Sequence, residues 1–120
     1  MNADKAIAAL SALAQETRLA AFRLLVQQGP NGLPAGAIAS RLKTNPSTMS
    51  HHLGLLERAG LVRSYRVQRQ IFYATHYQGM RTLMAFLSED CCRNDPVLCG
   101  TPAPEAALIA TSPLIERRKG

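Results

Sequence analysis

The sequence predicts a mainly α-helical chain with one β-hairpin, an α+β class. Three observations predict it. Apolar residues recur at three- and four-residue spacing through most of the first 60 positions and again over 77–91. Between those stretches, from 61 to 75, the period shortens to two. Gly29-Pro30-Asn31-Gly32, Asn45-Pro46 and Gly60 punctuate the helical part with stop and start signals.

The elements follow in order. Ala6, Ile7, Leu10, Leu13 and Ala14 predict a first helix over 4–14, with Asp4 as its cap. A second helix over 17–28 carries a broad apolar face of Leu19, Phe22, Leu24, Leu25 and Val26. The Gly-Pro-Asn-Gly run then ends it. Pro34 is expected in the first turn of a short third helix that runs to 42, with Ile38, Ala39 and Leu42 inward. Lys43-Thr44-Asn45 makes a tight turn. Asn45 caps a fourth helix and Pro46 opens it. That helix runs to Ala59 on a buried stripe of Met49, Leu53 and Leu56, and Gly60 stops it. Two short strands, 61–67 and 71–75, flank a polar turn at Gln68-Arg69-Gln70 that has no glycine. Met80, Leu83, Met84 and Leu87 predict a last helix over 77–91.

A short helix, a tight turn, a second helix and then a hairpin is the order of a winged helix-turn-helix. The fourth helix would be its recognition helix. Its start is polar: Ser47, Thr48, Ser50, His51 and His52. Short hydroxyl side chains at that end of a recognition helix can reach phosphates and base edges. The helix N-terminus itself also attracts phosphate. A Ser/Thr cluster can equally serve only as a cap, but Asn45 already fills that role. Neighbouring residues on a helix do not face each other. One zinc held by both His51 and His52 is therefore not expected; His51 is expected to face DNA, while His52 packs or bonds at the domain surface. The hairpin supplies Arg63, Arg66 and Arg69, with Arg69 at the tip, where it can reach a minor groove or grip the backbone. Charge on an exposed edge also guards against aggregation.

Charge points the same way. The chain has 120 residues, one domain by length, and a net charge of +6. Between 17 and 88 there are nine basic residues and one acid, Glu57. A solvated surface usually mixes signs, so a one-signed middle suits a phosphate partner. No apolar run has the length of a membrane span, and no export signal is visible at the N-terminus, so a cytoplasmic protein with no membrane partner is expected.

Three cysteines, Cys91, Cys92 and Cys99, are the only ones in the chain and cluster within nine positions. Soft thiolates so grouped suit a soft ion. Three ligands complete the pyramidal shell of trivalent arsenic, whereas zinc takes four. A fourth would have to come from Asp95, His76 or a partner subunit. Pro96 interrupts any helix, so Cys91 and Cys92 fall at a helix end and Cys99 on a return that ligand capture would fold back. Oxidation is the competing chemistry. Adjacent Cα atoms stand about 3.8 Å apart, below the roughly 4.4 Å usual for a disulfide. A bridge would therefore join Cys99 to one of the pair.

Leu13-Ala14-Gln15-Glu16-Thr17-Arg18-Leu19 resembles the second-helix signature of the ArsR (ArsR/SmtB) family of bacterial repressors. The run from Ser47-Thr48-Met49-Ser50-His51-His52 through Leu61-Val62 resembles that family's recognition-helix motif. The stretch Phe86-Leu87-Ser88-Glu89-Asp90-Cys91-Cys92, followed by Cys99, is similar to arsenic-responsive members with C-terminal cysteines. The resemblance covers about residues 5 to 100. It implies a homodimer that binds an inverted repeat in double-stranded operator DNA and lets go when As(III) or Sb(III) reaches the thiols. The apolar stripes of the first and last helices, led by Ile7, Leu10, Met80, Leu83, Met84 and Leu87, point to pairing across a twofold axis; an internal core is the other use of the Met/Leu stripe, and in so short a chain the two uses can share it.

Two of the family's ion sites do not transfer. The helix before the turn, 34–42, has no cysteine. The last helix offers Glu89 and Asp90 but no histidine; His76 lies just before it. Sensing therefore falls on Cys91, Cys92 and Cys99. Residues 1–92 are expected to form the DNA-binding and dimerisation domain, and 93–120 a cysteine-containing loop and flexible tail. Sensing of zinc or cadmium, or of thiol oxidation, is the alternative on the same scaffold. An enzyme is not expected, because no Cys-x-x-Cys, phosphate loop or base near the thiols is present. A constitutive architectural DNA-binding module, with the cysteines incidental, is the remaining class.

Overall fold

Residues 1–89 are described by a computed structural model. The chain divides into two units, Met1–Leu87 and Ser88–Gly120. The first holds five helices and a three-stranded sheet, a winged helix-turn-helix. In order they are α1 (Ala3–Leu13), α2 (Glu16–Gln28), β1 (Leu33–Pro34), α3 (Ala35–Arg41), α4 (Pro46–Arg58), β2 (Val62–Val67), β3 (Gln70–Thr75) and α5 (Tyr77–Ser88).

Helix α1 is capped by Asn2, whose side chain accepts from the Lys5 amide at 2.9 Å; Asp4, the expected cap, lies inside the first turn. Both residues suit a helix start, but only Asn2 has extended backbone, which a cap requires. Helix α2 is capped by Gln15 through the Arg18 amide at 2.8 Å. Its expected broad apolar face is narrower: Ala21, Phe22 and Leu25 are buried, while Leu19 and Val26 are exposed.

The expected two-stranded hairpin is part of a three-stranded antiparallel sheet in the order β1-β3-β2. Leu33 pairs with Tyr73 and Pro34 with Phe72. Pro34 is therefore in an edge strand that runs straight into α3, not in the first turn of the helix. An edge position tolerates the missing amide. Gly32 allows the approach, since a Cβ there would meet the Tyr73 carbonyl oxygen at 2.0 Å. The β2–β3 register runs from Val62↔Thr75 to Val67↔Gln70, so the loop is Gln68-Arg69. Gln68 adopts φ 56°, supplying the left-handed conformation that glycine usually provides at such a turn.

The helix-turn-helix rests on two matched helix ends. After α3, Lys43 takes φ 55°, its amide donates to the Ser40 carbonyl and that of Thr44 to the Ala39 carbonyl. After α4, Gly60 takes φ 83°, its amide donates to the Glu57 carbonyl at 2.9 Å and that of Leu61 to the Leu56 carbonyl at 3.0 Å. Both are Schellman ends, which satisfy carbonyls the helix leaves free. The core between them is aliphatic: Leu25, Ile38, Met49, Leu53, Leu56, Leu61 and Val62 are fully enclosed.

Helix α1 turns its alanines, Ala6, Ala9 and Ala12, to this core. Its bulky residues face out, with Ile7 60% and Leu10 41% exposed. Helix α5 buries Leu83, with Met80 and Phe86 partly covered, and leaves Met84 62% and Leu87 54% exposed. The stripe expected to serve association thus divides between core and surface. No helix among the described residues is long and apolar enough to cross a membrane.

Candidate nucleic-acid interface

The recognition helix is built so that one side is core and the other is free. Met49, Leu53 and Leu56 lie inward at i, i+4 and i+7. Ser47, Ser50, His51, Gly54 and Arg58 share the opposite stripe. Ser47, Ser50, His51 and Arg58 are exposed, and Thr48 is exposed beside them. Arg58 extends the stripe beyond the expected residues; its spacing from His51 and Ser47 is the signal that could have found it.

At the helix start, Asn45 Oδ1 accepts from the Ser47 amide at 2.8 Å and the Thr48 amide at 3.4 Å. It also accepts from the Ser47 hydroxyl at 2.7 Å. Ser47 thus belongs to the cap, and its hydroxyl hydrogen is committed there. The oxygen lone pairs and the hydroxyls of Thr48 and Ser50 remain as polar groups at the exposed end. His51 is exposed. His52 is half-buried, and its Nδ1 lies 3.1 Å from Arg18 Nη1. Burial first, then the Arg18 charge, then His51, push its pKa below the usual histidine value.

The three wing arginines do not form one group. Side chains alternate across a strand, so Arg63 and Tyr65 share one face and Ser64 and Arg66 the other. Arg63 Nη2 donates to the Pro30 carbonyl at 3.1 Å, and its guanidinium lies 5.3 Å from the Tyr65 ring centroid. The Tyr65 hydroxyl donates to the Asn31 carbonyl. Tyr65 also stacks on Phe72 with centroids 5.4 Å apart. This face therefore ties the base of the wing to the α2–β1 loop. On the other face the Ser64 hydroxyl donates to Glu57 Oε2 at 2.7 Å, which ties the wing to α4. Arg66 lies on that recognition-helix face, and Arg69 occupies the loop at the tip. Both are exposed. Glu57, the sole acid of the basic middle, is exposed and takes up the Ser64 hydroxyl in this bond.

No group of three His, Cys, Asp or Glu among the described residues could hold a metal ion. Cys91, Cys92 and Cys99 lie outside the described residues, as does the expected last turn of α5 up to Cys91.

Known proteins share this architecture. A family model described as a helix-turn-helix domain matches residues 13–65. An ArsR-like transcriptional regulator from Rhodococcus sp. RHA1 is 26% identical, with a TM-score of 0.65 over 81% of this chain and 89% of that one. The homodimeric winged helix-turn-helix domain of Mb0332 from Mycobacterium bovis, described as a possible ArsR-family transcriptional regulator, is 26% identical. Its TM-score is 0.60 over 72% of this chain and 81% of that one. The transcriptional activator HlyU of Vibrio cholerae is 32% identical over 92 residues, 77% of this chain and 82% of HlyU. The chain belongs to the ArsR family. A solved structure of reduced HlyU superposes with a TM-score of 0.58 at 31% identity, covering 77% of this chain and 94% of that one. This ArsR-family member is accordingly a transcriptional regulator of the winged-helix kind, and DNA is its partner.

Proposed function

We propose that this ArsR-family chain acts as a homodimeric repressor whose hold on an inverted-repeat operator ends when trivalent arsenic or antimony binds Cys91, Cys92 and Cys99. The DNA half rests on the free stripe of α4. Ser47, Thr48, Ser50 and His51 lie at its N-terminal end and Arg58 farther along, with no acid on the stripe. Arg66 and Arg69 project from the adjoining wing. In this proposal the helix enters the major groove, and Arg66 and Arg69 grip backbone or minor groove. Arg63, held to Pro30, sets the angle of the wing.

Association is supported by the outward Ile7, Leu10, Met84 and Leu87. Burying an exposed side chain of this size is worth about 1.5–3 kcal/mol. A twofold pair would cover each of these residues twice. Mb0332, with the same architecture, is described as homodimeric.

The ligand half rests on donor chemistry. Three thiolates satisfy a three-coordinate metalloid and leave zinc one ligand short. A mobility-shift titration tests both halves. Arsenite is expected to release wild-type protein from its DNA, while a variant with all three cysteines replaced by serine stays bound. Release of the serine variant, or retention of the wild type, removes the metalloid from the account.

Thiol oxidation is the second signal to test, because HlyU has been solved in a form described as reduced. Peroxide in place of arsenite would then release the protein. HlyU is named an activator, so the direction of control is read from a promoter fusion. Repression predicts higher output without the protein.

A further inference from the structure

Arg18, in the first turn of α2, bonds in two directions. Its Nε donates to the Ala12 carbonyl in the last turn of α1 at 2.6 Å. Its Nη1 stands 3.1 Å from His52 Nδ1, halfway along α4. One partly buried side chain thus joins three helices, including the recognition helix and the helix that turns Ile7 and Leu10 outward. A guanidinium has donors and no acceptor. His52 Nδ1 must therefore accept, which it can do only as a neutral ring carrying its hydrogen on Nε2.

We propose that Arg18 is a positioning residue for DNA binding: it straps α4 to α1 through a neutral His52, and the strap opens when that ring is protonated. The inference rests on the operator-binding function proposed above. It goes beyond that function by naming a side chain that touches no DNA and a signal distinct from the thiols.

A proton on Nδ1 replaces the acceptor with a donor, so the Nη1 bond is lost. It also sets two cations side by side. The charged or titratable groups bearing on His52 are Arg18 from α2 and His51 from α4 itself, whose ring centroid is 6.0 Å away. From α1 the strap receives only the Ala12 carbonyl. Burial, Arg18 and His51 all oppose the proton. Once the strap opens, α4 keeps its core contacts and loses its side-chain link to α1. In a twofold dimer built on α1, the spacing of the two recognition helices depends on that link.

The test uses the full chain and a duplex that the wild-type protein selects from a random-sequence pool. Affinity is measured between about pH 8 and about pH 5.5, and against salt. Opening the strap is expected to lower wild-type affinity about ten-fold in acid, the equivalent of one charge-assisted hydrogen bond. Asparagine at 52 keeps an acceptor oxygen on Cγ, where Nδ1 stands, and does not titrate. His52→Asn is therefore expected to match wild type at about pH 8 and to lose about ten-fold less affinity than wild type in acid; whatever pH dependence the two share belongs to other groups, among them His51. Arg18→Ala should bind about ten-fold more weakly at both ends of the range, with an unchanged salt slope. Arg18→Lys, too short in reach to span both partners, serves if Arg18→Ala does not fold by circular dichroism.

Two results overturn the strap: wild-type affinity that falls no further in acid than that of His52→Asn, or a salt slope reduced by about one in the Arg18 variant, which marks a phosphate contact. Either of these on a selected duplex leaves operator binding standing. A wild-type protein that selects no duplex removes operator binding and the strap together.

Discussion

Replacing Gly79 by alanine opposes two familiar effects, and the structure decides between them. Gly79 lies in the first turn of α5, where alanine would gain up to about 1 kcal/mol in helix propensity. A Cβ there would stand 1.8 Å from the Gly60 carbonyl oxygen and 3.0 Å from both the Gly60 carbonyl carbon and His76 Nδ1. The carbonyl cannot easily retreat, because Gly60 is the φ 83° residue of the Schellman end of α4. His76 Nδ1 accepts from the Gly79 amide at 2.8 Å, so a shift of the helix also strains its cap. Overpacking costs about 1–3 kcal/mol when side chains can adjust, and backbone adjusts less. Taking roughly 3 kcal/mol of clash against 1 of propensity gives a net loss of about 2 kcal/mol. That lowers the melting temperature of a domain this size by roughly 10 °C. Gly54 is the internal control. It sits mid-helix in α4, and its Cβ would meet only Arg58 Nη1 at 3.8 Å. Gly54→Ala is expected to stabilise by about 1 kcal/mol. Thermal unfolding of DNA-free protein at one fixed concentration reads both, since association would otherwise shift the midpoint. A Gly79→Ala protein melting at or above wild type refutes the close approach of α5 to the α4–β2 turn.

Three further outcomes are expected. Asn45→Ala removes the acceptor for two amides and a hydroxyl at the start of α4 and should cost about 1–2 kcal/mol by denaturant titration; no measurable loss would mean that water caps the helix equally well. Thr75 is fully buried and its hydroxyl has no hydrogen-bond partner among the described residues, so Thr75→Val should gain about 1 kcal/mol by calorimetry; a loss would reveal a partner for that oxygen. Because the folded-state pKa of His52 is depressed, the unfolded chain takes up this proton first as pH falls. Stability is therefore expected to decline from the usual histidine value down through the lower folded one and then level off. His52→Asn should remove that share of the slope in urea melts across the same range.

The helices and the hairpin were legible because their signals are local. Met49, Leu53 and Leu56 repeat at helical spacing, and Gly60 has the one conformation that a C-terminal stop needs. β1 was not legible. Two residues, one of them proline, carry no periodicity, and the strand exists only because Gly32 lets the chain touch β3. The apolar stripe of α1 could be read as apolar but not assigned a side. Spacing alone cannot tell that Ala6, Ala9 and Ala12 face the core while Ile7 and Leu10 face out. The wing shows the same limit. Arg63 and Arg66 are alike in sequence, yet strand alternation sends one to Pro30 and the other to the recognition-helix face. His52 bonds into the fold, as expected of it, while His51 is exposed. The partner of His52, 34 positions away, could not be found from spacing.

Helix α4 is held at three points. Asn45 fixes its start, Arg18 its middle through His52, and the Glu57–Ser64 bond its end against the wing. Its inner side is locked by Met49, Leu53 and Leu56 in a close-packed core, which resists continuous deformation. Under the proposed function a signal must still change how well two such helices fit two grooves. Bending α4 within one protomer would break several of these ties at once. Rotating whole protomers about the outward faces of α1 and α5 breaks none of them, and interfaces are where such two-state motions are found. The signal is therefore expected to act on the outward faces of α1 and α5, and to reach DNA as a change in the distance between two otherwise unaltered recognition helices. The strap through His52 acts at the other end of the same lever, by setting how firmly each recognition helix follows its own α1.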